Sequence, residues 1–199
     1  MATEARFAAI VLAAGSASRF GGGKLLADWN GAPLLHAALA AARAAPVQDI
    51  VVVTGADPEA IGGIVRTFDR AIRVTHAPDH AEGMAASLRA GIAALGADIT
   101  AVFVFLGDMP RVPLAVLSSL AEAVRQGAPA AAPVFQGRRG NPVVVSCDLF
   151  DQVAGLRGDV GARVILDSLG PALACVTSPD DGVLFDVDTR ADLQTDGEG

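Results

Sequence analysis

Cysteine, aromatic side chains and basic charge are all scarce in this chain. Its two cysteines, Cys147 and Cys175, form no close-spaced metal-binding pattern, and in a cytosolic protein of 199 residues they are expected to stay reduced. Aromatic residues make up 5% of the sequence. Much of the apolar content is Ala instead, so close helix packing is expected rather than large ring clusters. Lys and Arg number 15 against 22 acidic residues, a net charge of -7. That balance argues against a broad footprint for DNA or RNA, which leans on many cationic contacts to phosphate. It leaves room for one small anionic ligand held by a local group of cations.

Long apolar runs are missing too. The longest falls short of the roughly 20 residues that a membrane helix needs. Residues 7–14 are apolar but run straight into Gly and Ser with no cleavage region, so they are not read as a secretory signal. A cytoplasmic protein without membrane or nucleic-acid partners is expected. Hydrophobic residues at 52%, with 22 Gly and 11 Pro, suit a folded chain, and the length favours one domain over residues 1–199.

The apolar residues present fall in short runs that alternate in type. Strands are expected over 8–13, 50–53, 72–75, 101–106 and 130–134. Helices are expected over 34–45, from near Pro58, over 84–95 and over 114–124. Strands that are apolar throughout are buried on both faces and belong to a mainly parallel sheet covered by helices. Residues 136–141 are turn-like, and 143–145 is expected to return antiparallel. Helical pieces over 149–153 and 162–168, short strands over 172–175 and 183–186, and a last helix over 189–193 complete the reading. The fold class is α/β: a Rossmann-like three-layer sandwich with a mainly parallel sheet and a late antiparallel element.

The most informative stretch follows the first strand: Leu12-Ala13-Ala14-Gly15-Ser16-Ala17-Ser18-Arg19-Phe20-Gly21-Gly22-Gly23-Lys24. Ligands of parallel α/β sheets sit beyond the carboxyl ends of the strands, where this loop begins. Glycines let successive N–H groups turn inward around an anion, and Arg19 and Lys24 supply charge to a phosphate chain. Lys24 is followed by Leu25 rather than Ser or Thr, so this is not a P-loop; nor is it the dinucleotide fingerprint. On its residues alone the loop is a phosphate site or a flexible surface turn.

Two carboxylate motifs stand later in the chain. Asp108 in Gly107-Asp108-Met109-Pro110 ends the strongest strand and is placed either to hold Mg2+ beside phosphates or to cap the helix beyond Pro113. In Phe185-Asp186-Val187-Asp188-Thr189, Asp188 is read as a helix N-cap, which leaves Asp186 to share a metal with Asp108. His36, His76 and His80 are too scattered to suggest zinc.

These motifs, with Gly83-Met84-Ala85-Ala86-Ser87-Leu88, Arg138-Arg139-Gly140-Asn141-Pro142 and Gly158-Asp159-Val160-Gly161-Ala162-Arg163, occur in an order that resembles the molybdenum cofactor nucleotidyltransferases, most closely the cytidylyltransferase branch. The resemblance implies transfer of CMP from CTP to the phosphate of molybdopterin or Mo-molybdopterin, with Mg2+, giving a cytosine dinucleotide and pyrophosphate. It implies a nucleotide site at Leu12, Ala13, Ala14, Gly15, Ser16, Lys24, Gly83 and Ser87, with Arg19, Lys24 and Asp108 catalytic. It further implies metal ligands Asp108 and Asp186, and acceptor contacts from Arg138, Arg139, Asn141 and Asp159. A molybdenum hydroxylase or its maturation chaperone is an implied partner. Phe20, Asn141 and Arg190 depart from the pattern, where Met, His and Pro are usual. GTP, another phosphorylated acceptor, or a noncatalytic carrier role stay open as alternatives.

Overall fold

The computed structural model describes residues 5–15 and 20–194. Ten strands occur among them: β1 (Phe7–Ala13), β2 (Asp28–Trp29), β3 (Ala32–Pro33), β4 (Asp49–Thr54), β5 (Arg73–His76), β6 (Ala101–Leu106), β7 (Ala130–Phe135), β8 (Arg138–Arg139), β9 (Val143–Ser146) and β10 (Leu173–Thr177). The α-helices are α1 (Leu35–Ala44), α2 (Pro58–Phe68), α3 (Met84–Ala93), α4 (Ala115–Arg125), α5 (Phe150–Gly155) and α6 (Arg163–Leu169). The main sheet runs β10-β7-β9-β6-β1-β4-β5, with β8 paired to β7. β1 pairs parallel with both β4 and β6, and β10 with β7, whereas β9 runs antiparallel between β6 and β7.

Strand alternation in β1 builds two cores. Phe7, Ala9, Val11 and Ala13 face one way, onto Leu35 and Leu39 of α1, Ile61 and Val65 of α2 and Leu117 and Leu120 of α4. Ala8 and Ile10 face the other way, toward Ala85 and Leu88 of α3, Val153 of α5 and Leu166 of α6. Helices cover both faces, and the apolar strand sequences follow from that. Gly91 of α3 lets the helix lie close to the sheet, since a Cβ there would stand 2.9 Å from Cγ2 of Ile10. Among the described residues no helix is long and apolar enough to cross a membrane, and Cys147 and Cys175 are both free and exposed.

Two local expectations need correction. Residues 183–186 do not form a strand. Asp180 Oδ1 accepts the Gly182 N–H at 2.8 Å and winds residues Asp181–Leu184 into a 3-10 turn. Leu184 and Phe185 then pack inward without sheet partners, an apolar run without a ladder. The last helix is likewise a 3-10 segment, Arg190–Gln194. No element is expected over 28–33 from the apolar pattern, yet β2 and β3 form a hairpin there. Asn30 and Gly31 adopt φ values of 53° and 83°, the left-handed pair that a tight hairpin requires.

Candidate functional site

From β1 the chain winds outward through β4 and β5 and then returns to β6 on the other side of β1, so the strand order reverses between β1 and β6. A crevice opens at such a point beyond the strand ends. The ends of β1 and β6 are fastened together there, the Gly107 N–H donating to the Leu12 carbonyl at 2.9 Å. A Cβ at Gly107 would lie 2.9 Å from that same oxygen, which is why the residue before Asp108 is Gly. On the other side, the Ala56 N–H donates to the Ala14 carbonyl at 3.3 Å. Gly55 permits this approach, since its Cβ would fall 2.5 Å from the Ala14 oxygen.

Asp108 is thereby carried into the crevice. Its Oδ2 accepts a hydrogen bond from Lys24 Nζ at 2.6 Å, and the same ammonium stands 3.9 Å from Oδ1 of Asp188. The Lys24 side chain is 12% exposed and that of Asp108 25%, so this pair is much less screened than a surface ion pair. Asp108 does not cap the following helix: α4 starts at Ala115 with no side-chain cap.

The C-terminal segment brings two more carboxylates. The Val187 N–H donates to the Asp108 backbone carbonyl at 3.0 Å, which fixes Asp186 and Asp188 on either side of this junction. Burial, then the charges of Asp108 and Asp188, hold the Asp186 carboxyl above its ordinary range, with Lys24 opposing them. Asp188 is not the N-cap expected of it. That work falls to Asp192, whose Oδ2 accepts the N–H groups of Asp188 and Thr189 and the Thr189 hydroxyl. These bonds lower the Asp192 pKa. Asp188 is turned toward Lys24 instead, so the ground for ranking Asp186 above it falls away.

Two large cavities adjoin along Leu12, Met84 and Leu106, and Asp108 lines the first of them. One, of about 580 Å3, is lined by Leu12, Ala14, Gly15, His80, Gly83, Met84, Ser87 and Asp108. Ser87 is buried rather than on the helix surface, and Met84, 37% exposed, lies at the cavity wall rather than in the core. A smaller recess of about 110 Å3 beside it is lined by Ala13, Gly15, Gly23, Lys24 and Asp57. The second large cavity, of about 740 Å3, brings together Arg138, Arg139, Asn141 and Asp159, with Arg163. Both volumes are in the range of small-molecule sites. Asp159 lines both, and its Oδ1 accepts the Met84 N–H at 3.4 Å.

Arg139 is ion-paired with Asp167, which also lies 3.8 Å from Arg163. Asn141 is held by its backbone, its N–H donating to the Val183 carbonyl at 2.8 Å. Ser16 and Arg19 lie outside the described residues. Arg163 and His80 are not among the site residues read from the sequence, and Asp188 is there only the lower-ranked alternative to Asp186. Arg163 closes one of those motifs, whereas nothing local in the sequence marks His80.

Among the described residues no three His, Cys, Asp or Glu side chains are gathered closely enough to cage a metal alone. Asp108, with Asp186 and Asp188 on either side of the Val187 junction, instead offers oxygens of the kind taken by a hard cation that uses one or two protein ligands and completes its shell with phosphates and water.

A glycine-opened loop, a lysine held on carboxylates and a crevice at the sheet switch point define a nucleotide-binding α/β domain. Within that class, the chain belongs to the family of MobA-like NTP transferase domains, whose profile matches residues 9–173. It is 28% identical over 190 residues to the purine catabolism protein PucB of Bacillus subtilis, covering 90% of each chain. It is 36% identical over 139 residues to the 2-C-methyl-D-erythritol 4-phosphate cytidylyltransferase of Streptomyces avermitilis, a match covering 66% of this chain and 54% of that enzyme. Among solved structures, Rv0371c of Mycobacterium tuberculosis superposes with a TM-score of 0.83 at 27% identity, covering 99% of this chain and 100% of the other. A second structure of that protein, at 24% identity and a TM-score of 0.78, is a complex with manganese; 96% of this chain and 97% of that one are covered.

Proposed function

We propose that this protein acts as one nucleotidyltransferase domain that moves CMP from CTP to the phosphate of molybdopterin or Mo-molybdopterin. The products are the cytosine dinucleotide of the cofactor and pyrophosphate. The observation that carries the reading is that the cavity bounded by the nucleotide loop and Asp108 adjoins a second one bounded by arginines, the two sharing Leu12, Met84, Leu106 and Asp159. A transfer reaction needs this geometry, because donor and acceptor must meet at one phosphorus. Transfer chemistry is common to the family, and the cytidylyl choice is supported by the Ala13-Ala14-Gly15 sequence and by the Streptomyces relative.

In this account the triphosphate lies against the Gly15–Gly23 loop, with Lys24 and Arg19 over its charge. The acceptor phosphate enters from the side of Arg138, Arg139 and Asn141 and attacks the α-phosphorus. The bond to the β-phosphate oxygen breaks, and pyrophosphate leaves toward Lys24. A phosphate monoester is already a nucleophile, so no Ser or His base is required. Asp108, with Asp186 or Asp188, would hold Mg2+, which when bound would neutralise phosphate charge. Lys24 stabilises charge that grows on the departing oxygen.

CTP labelled at its α-phosphorus tests this reading. The label is expected in a dinucleotide product when molybdopterin is supplied and not without it. Transfer from labelled GTP at an equal rate contradicts the cytidylyl assignment, and no transfer from either contradicts the acceptor.

A further inference from the structure

The segment that carries Asp186 and Asp188 has no strand or α-helix to fix it, so something else must set its height above Asp108. Three contacts to the loop after β6 bracket these carboxylates. Before them, Gly182 lies against the Arg111 carbonyl; a Cβ at Gly182 would stand 1.9 Å from that oxygen. Next to them, the Arg111 guanidinium lies over the Phe185 ring at 4.7 Å and is 3.8 Å from Asp181 Oδ1. Between them, Val187 donates to the Asp108 carbonyl. The Phe185 ring is in turn 6.1 Å from Trp29, in a small cluster with Phe20, Leu34 and Val187 that belongs to neither main core.

We propose that Arg111 is a positioning residue for the carboxylate group. Its backbone and its guanidinium together clamp Gly182 and Phe185, and thereby set the distance of Asp186 and Asp188 from Asp108. The inference rests on the metal reading given above. Arg111 touches no reacting atom in this account and acts through the segment it holds. The planar face matters: Arg stacks flat on a ring in a way that Lys does not.

Titration with Mn2+ alone, followed by the loss of the free-ion electron paramagnetic resonance signal, tests this without turnover. Arg111→Ala is expected to weaken Mn2+ binding about 3- to 10-fold, the range of one cation–π contact. Phe185→Tyr, which keeps the ring, is expected to bind as the parent does. Arg111→Ala combined with Phe185→Leu is expected to lose less than the two single changes would together, since they share one contact.

The matched control is Arg125→Ala. Arg125 lies over the Phe7 ring at 4.9 Å and 3.7 Å from Glu122, the same kind of contact far from the site. It is expected to lower the melting temperature and leave Mn2+ affinity alone. Parent-like Mn2+ binding by Arg111→Ala overturns the clamp, as does an equal loss in Arg125→Ala. Absence of Mn2+ binding in the parent protein is a different result: it removes the metal reading, and the clamp with it.

Discussion

Lys24 Nζ stands 2.6 Å from Oδ2 of Asp108 although 84 residues separate them in sequence. Each is placed by a different part of the sheet edge: Lys24 by the loop leaving β1, Asp108 by the end of β6. This contact closes the floor of the crevice. It also gives the carboxylates of Asp108, Asp186 and Asp188 a common counter-charge.

Lys24→Met therefore has two expected effects. Transfer activity falls by about 100-fold or more, the cost of losing one preorganised charge at a developing anion. Stability falls as well, by about 1–2 kcal/mol, because a charge-assisted hydrogen bond in a partly shielded place is lost. Steady-state kinetics and urea denaturation of the same preparation check both; a variant that loses neither removes Lys24 from the site.

The Asp186 carboxyl predicts a pH effect of defined sign. Its folded pKa is raised, so the folded chain holds this proton more tightly than the unfolded chain. Stability is then full below the ordinary carboxylate pKa of about 4 and declines as pH rises toward the folded value. Asp186→Asn removes that decline. In chelator it is expected to melt above the parent at pH 7, by well under about 1 kcal/mol because the side chain is only partly buried and solvent screens the charges around it. The gain is expected to vanish near pH 4. Asp192 has the opposite sign: its lowered pKa contributes above the unfolded value and is lost as pH falls, so Asp192→Asn weakens the segment most at neutral pH.

Much of this architecture is legible in the sequence, because β1, β4, β6 and β7 are short apolar runs with breakers at both ends. The site is less so. Asp108 is marked by the strand it ends, and Gly83 and Ser87 by the helix they open. Asp188 is misread because an Asp before Thr189 and a short helix imitates a cap, while the cap is made from Asp192, four residues on. Val183 to Phe185 imitates a strand because apolar residues buried under a loop look like those buried in a sheet. The partners of Arg111 and Arg139 are distant in sequence, and no local pattern announces them.

Two glycine substitutions should separate in sign. Gly83 has φ +114°, and a Cβ there would meet the Gly158 carbonyl carbon at 2.5 Å, at the junction of the two cavities. Gly83→Ala is expected to cost about 2 kcal/mol or more and to raise the KM for the acceptor. Gly63, inside α2 with open space around it, is expected to gain about 0.4–1 kcal/mol as Gly63→Ala. Thermal melts of both decide this, and a gain in Gly83→Ala contradicts the packing described.

Pyrophosphate release from CTP and from GTP, each with Mg2+ and with or without molybdopterin, tests the central claim most directly. Release from CTP is expected to depend on molybdopterin, to be at least about tenfold faster than from GTP, and to disappear in Lys24→Met. Release that ignores molybdopterin, or that persists in Lys24→Met, contradicts it.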